Sequence, residues 1–106
     1  MKKVKVVVID PFKQQIYEKE IGQDNLPEMQ EIVGGYIEAV GRLDNGDTLF
    51  VDEEGLFKDN QKFFKIPELI GDPLAGVGFV QGHDEEGAGR DAKIGHLDLA
   101  MKVEWA

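Results

Sequence analysis

Val6, Val7, Val8 and Ile9 stand in an unbroken row near the start of the chain, and no other feature limits the fold as much. Four consecutive β-branched residues favour extended backbone, and successive side chains of a strand point to opposite faces. Such a strand needs apolar cover on both sides. Lys3 to Ile9 is therefore expected as a central strand. Asp10-Pro11 ends the run as a turn. Gln14 to Ile21 carries Ile16, Tyr17 and Ile21 among charged residues, which fits a half-exposed hairpin partner with Glu18, Lys19 and Glu20 guarding its edge.

The second constraint is a short helix over Leu26 to Val33. Asn25 is its N-cap, Pro27 falls in the first turn where its missing N–H costs nothing, and Glu28 follows Asn25 by three as in a capping box. Leu26, Met29, Ile32 and Val33 share one face, and Gly34-Gly35 supplies a left-handed stop. Two turns of helix are not stable alone, so a sheet must lie beneath them.

Asn45-Gly46 between Asp44 and Asp47 predicts a type I′ hairpin joining Tyr36–Leu43 to Thr48–Val51. With those two as the turn residues, Val40 faces Val51, Gly41 faces Phe50 and Arg42 faces Leu49. Leu56 to Leu69 fits neither helix nor strand period and is expected as a packed loop with one helical turn. Leu74 to Val80 is expected as a strand, with Gly76 and Gly78 opening one face to a close core neighbour. Leu97, Leu99, Met101, Val103 and Trp105 alternate with Asp98, Ala100, Lys102 and Glu104, which predicts a final strand. The sum is a single domain over residues 1–106, of the α+β class: a small, mostly antiparallel sheet of about five to six strands with one short helix packed on it.

Composition narrows the chemistry. The chain has no cysteine, which removes disulfides, thiolate metal sites and cysteine nucleophiles and suits a reducing cytoplasm. Met-Lys-Lys resembles the start of a signal peptide, but Asp10 and Pro11 interrupt the apolar run too early, and no stretch approaches a membrane span. A net charge of −9 disfavours direct binding to nucleic acid or to anionic membranes.

Serine is also absent and Thr48 is the only threonine, so no serine or cysteine triad can be built. His83 with Asp84, Glu85 and Glu86 offers ligand types, but consecutive turn positions cannot converge on one ion; His96 is expected at the surface or partly packed. Neither acidic turn has the spacing of a calcium loop, and the glycines at 76, 78 and 82 precede no helix that would hold a phosphate. No metal, no cofactor and no catalytic residue is expected. Glu38 and Glu53 would approach one another if the hairpin pairing extends that far.

The stretch Leu26-Pro27-Glu28-Met29-Gln30-Glu31-Ile32-Val33-Gly34-Gly35-Tyr36-Ile37-Glu38 resembles the bacterial and phage family catalogued as domain of unknown function 3846. The order of parts agrees: strand Val4 to Pro11 before the helix, the turn Glu53-Glu54-Gly55 after the hairpin, then Asn60, and Gly71 before Leu74 to Val80. The likeness covers residues 4 to 87. That family often closes on a Ser/Thr-capped helix, from which the alternating tail departs. It occurs largely in phages, plasmids and other mobile elements and has no assigned activity, which implies an accessory role.

The expected function is that of a non-enzymatic interaction protein with a protein partner, acting through Gly34, Gly35, Tyr36, Glu38, Asp52, Glu53 and Glu54. Tyr36 and Glu38 share a strand face directly after the glycine pair, with Tyr36 packing under the helix as the plain alternative. A second reading is an acidic mimic of nucleic acid, which requires Asp52–Glu54 and Asp84–Glu86 on one face. A third is a small-molecule binder or hydrolase with a pocket near Gly34 to Glu38.

Overall fold

The computed structural model describes residues 2–106. Strand β1 (Lys3–Asp10) pairs antiparallel with β2 (Gln15–Gly22), and helix α1 (Leu26–Val33) follows. Strands β3 (Ile37–Arg42) and β4 (Thr48–Asp52) form a hairpin, and a single 3-10 turn occupies Gly55–Phe57. The chain continues through β5 (Phe63–Ile66), β6 (Ile70–Ala75), β7 (Gly78–His83) and β8 (Gly89–Arg90). It closes on a five-residue helix α2 (His96–Ala100) and β9 (Glu104–Trp105). The main sheet has the order β2-β1-β7-β4-β3, with β8 added to β7; a smaller sheet has the order β6-β5-β9, and all pairs are antiparallel. This is the α+β architecture expected.

The valine row behaves as its chemistry requires. Val4, Val6 and Val8 enter a core shared with Ile21, Met29, Val33 and Phe79 beneath α1. Val7 and Ile9 point the other way, into a core with Leu49, Val51 and Val80 that the smaller sheet closes with Phe64, Ile66 and Leu74 and α2 closes with Leu99. The main sheet is therefore the middle layer, with a helix on one face and the small sheet on the other.

Helix α1 has the bounds that its caps dictate. The Asn25 side chain accepts from the Glu28 N–H at 3.1 Å, and Gly34 adopts φ 80° with its N–H on the Gln30 carbonyl. The return arm of the capping box goes elsewhere: Glu28 Oε1 accepts from the N–H of Gly22 at 2.9 Å, tying the helix to the end of β2. Met29 and Val33 are its buried residues, and each contributes about 1.5–3 kcal/mol of burial. Leu26 stays exposed.

Four elements differ from the sequence expectation. The hairpin pairs Arg42 with Thr48 and Gly41 with Leu49, then Ala39 with Phe50 and Glu38 with Val51, with a bulge between. Only Gly46 of the turn pair has positive φ, whereas type I′ requires it at both residues. Leu43 instead closes a three-residue loop on the Asp47 carbonyl at 2.8 Å. The expected loop after Leu56 contains β5, with Phe64 and Ile66 buried. The expected strand Leu74–Val80 is divided, because Gly76 at φ 82° turns the chain between β6 and β7; Gly78, however, does lie against the Phe64 ring. In the tail, α2 replaces most of the expected strand, and only Glu104–Trp105 is extended.

Candidate functional site

The glycine pair after α1 lies against the end of β4. A Cβ built on Gly35 would sit 2.6 Å from Asp52 Oδ1, so the backbone there approaches a carboxylate as closely as only glycine allows. Asp52 is buried. Its Oδ1 accepts from the Glu54 N–H at 2.9 Å, and its Oδ2 is ion-paired with Lys58, that oxygen's one partner among the described residues. Lys58 Nζ also donates to the Gly34 carbonyl at 2.7 Å. One ammonium thus serves a helix C-terminus, where cations are favoured, and the carboxylate beside it. The Glu53 N–H donates to the Tyr36 carbonyl at 2.9 Å and closes the arrangement.

Around this knot the side chains face water. Tyr36 is 64% exposed, Leu56 73% and Phe57 85%. The Lys58 Nζ bond to the Gly34 carbonyl ties the backbone two residues before Tyr36 to the residue that follows Phe57. Glu38, Glu53 and Glu54 are exposed beside them.

The family model described as Domain of unknown function (DUF3846) matches residues 1–94. The chain belongs to the DUF3846 family. No curated protein and no solved structure matches it, and the family description assigns no activity. The matched region holds the main sheet, α1 and the Gly35–Asp52–Lys58 knot; α2 and β9 lie after it.

Of the residues singled out from sequence in this DUF3846 chain, Gly34, Gly35, Asp52 and Glu54 converge as contacts of one knot. Tyr36 and Glu38 are free at its border, so Tyr36 does not pack under the helix. Glu38 faces Val51, and Glu53 meets the Tyr36 backbone; the two glutamates are not a directly opposed pair. Lys58, Leu56 and Phe57 were not singled out. The signal for Lys58 was a lone cation in the acidic run from Asp52 to Asp59, and an apolar Leu-Phe pair in that run was the signal for the other two.

The two acidic clusters stand apart along the sheet. Strands β4 and β7 are antiparallel, with Thr48 beside Gln81 and Phe50 beside Phe79, so Asp52–Glu54 and Asp84–Glu86 leave their strands at opposite ends. Asp84 is occupied locally. It accepts from the N–H groups of Ala88 and Glu86 at 2.9 Å each and pairs with Arg90 at 2.7 Å. The Ala88 bond leads in holding its carboxyl below the usual aspartate range.

The crevice beside Glu38, Glu53 and Leu56 measures about 90 Å³, whereas ligand sites span roughly 300–1,000 Å³. His83 Nδ1 lies 3.3 Å from Thr48 Oγ1. His96 Nδ1 lies 3.3 Å from Glu18 Oε2, and this hydrogen bond is the leading cause that lowers the Glu18 pKa. Among the described residues no group of three or more His, Cys, Asp or Glu side chains is placed to hold a metal, and no helix is long and apolar enough to cross a membrane.

Proposed function

We propose that this DUF3846 chain is a non-enzymatic interaction protein that docks a protein partner through Tyr36, Leu56 and Phe57. The observation that carries the reading is the exposure of three large apolar side chains around a buried, ion-paired anchor. Aromatic residues dominate binding energy at interfaces, and side chains carried on a hydrogen-bonded, ion-paired backbone lose less entropy on docking. The surrounding Glu38, Glu53 and Glu54 define the partner's chemistry: an apolar pocket with lysine or arginine at its rim. The resemblance to proteins of phages and mobile elements supports an accessory role in the bacterial cytoplasm.

The test compares the wild-type chain with a Tyr36→Ala/Phe57→Ala variant as bait in bacterial lysate. The variant removes only exposed side chains, so its melting temperature should match the wild type. The expected outcome is a stoichiometric partner captured by the wild type, weakened by salt and lost with the variant. Equal capture by both proteins, or capture of nothing by either, refutes the proposal.

A further inference from the structure

The helix-bearing face of the main sheet is only partly covered. Across β3, β4 and β7 the register sets Arg42, Thr48 and Gln81 side by side, and alternation brings Phe50 and His83 to the same face. Helix α1 packs over Val4, Val8 and Phe79 instead. What it leaves open is a cleft of about 470 Å³ lined by Arg42, Thr48, Phe50, Gln81 and His83, within the roughly 300–1,000 Å³ range of small-molecule sites.

Its lining has unused binding capacity. Gln81 is only 5% exposed, yet its Oε1 has no hydrogen-bond partner among the described residues; a buried strand position next after Phe79 and Val80 would ordinarily hold an apolar residue, since a buried polar atom without a partner is unfavourable. Phe50 stacks on buried Phe79 with centroids 5.2 Å apart and is itself only partly buried. Arg42 forms no ion pair among the described residues, in a chain with a net charge of −9. An aromatic surface, an unsatisfied carboxamide and an unpaired guanidinium therefore border one cavity.

We propose that this cleft binds a small planar heteroaromatic ligand carrying one anionic group, of the nucleoside monophosphate class, with its ring on Phe50, its polar edge on Gln81 and its anion on Arg42. The guanidinium fork matches phosphate oxygens in pairs, and a turn of the Gln81 carboxamide toward the cleft gives its Oε1, sealed and unpartnered in the free chain, a ring or exocyclic N–H as donor. Thr48 and His83, bonded to each other, form the polar wall between them. The neighbouring crevice shares Arg42 and His83 but adds Glu85 and Glu86 against the single cation Lys93, and that acidic excess repels a longer phosphate chain. Asp84 does not compete for Arg42, because Arg90 and two backbone N–H groups hold it.

The test is an amide-resolved NMR titration of the full chain with AMP, GMP, CMP and UMP, alongside ATP and ribose 5-phosphate. At least one monophosphate should give saturable shifts at Arg42, Thr48, Gln81 and His83, with weaker binding of ATP and of ribose 5-phosphate. Arg42→Ala, at an exposed side chain, should weaken that binding about tenfold. Gln81→Leu should weaken it too while raising the melting temperature, because an unsatisfied polar group is removed. No saturable shift at millimolar monophosphate, binding of ribose 5-phosphate equal to that of the nucleotides, or wild-type affinity in Arg42→Ala overturns the proposal.

Discussion

Gly35 shows how a single missing atom can fix a motif. A methyl group there would fall 2.6 Å from Asp52 Oδ1. The carboxylate has nowhere to retreat, since the Glu54 N–H holds one oxygen and Lys58 the other. Gly35→Ala should therefore cost about 1–3 kcal/mol, the usual range for overpacking a closed site. Gly71 is the control: nothing among the described residues lies within 4 Å of its Cβ position, and Gly71→Ala on the exposed side of β6 should stay within about 0.5 kcal/mol. Urea midpoints measure both, and equal midpoints would show that the knot is not tight. The sequence pointed to both glycines as a helix stop. That is the role of Gly34, at φ 80°, whereas the role of Gly35 depends on a residue in another element and has no local signature.

Among elements, the β3–β4 hairpin shows where local turn chemistry yields to a distant contact. Asn45-Gly46 marked the bend, but the register depends on Asp47, which is fully buried. Its carboxylate accepts from the backbone N–H groups of Lys93 at 2.9 Å and Ile94 at 3.0 Å, and from Asn45 Nδ2 at 3.1 Å. These bonds pin the hairpin tip to the segment before α2. Asp47→Ala should cost about 2–4 kcal/mol by stranding buried donors, with Asp47→Asn less severe. Hydrogen exchange at the Lys93 and Ile94 amides should speed up in step, and unchanged exchange would mean that the carboxylate is not their anchor. Other elements were legible where the signal was local: β1, the β1–β2 hairpin and α1 fall where periodicity and caps placed them. The tail was not, because its alternation set Leu97 and Met101 on what proved to be exposed positions. Leu99 alone is buried there, and one short helical turn presents it to the core as well as a strand would. Strand β5 was missed because it is only four residues long, and its burial alternates while its sequence Phe-Phe-Lys-Ile does not.

At the scale of the molecule, the two cores meet through shared strands: β1, β4 and β7 each send side chains to both faces of the main sheet. The Cα radius of gyration is 12.6 Å, against about 13 Å for one compact body of this length. Loss of either core therefore leaves the other with one exposed apolar face, and the two are expected to unfold together. Trp105, the single tryptophan, packs on the core opposite α1 and makes the prediction measurable. Met29→Ala, on the α1 side, should lower stability by about 2–5 kcal/mol and shift the Trp105 fluorescence midpoint and the far-ultraviolet circular dichroism midpoint by the same amount. A fluorescence midpoint that stays at its wild-type value while the dichroism moves would mean that the small sheet and α2 hold together without the helix. Coupling of the two faces through the valine row would then be wrong.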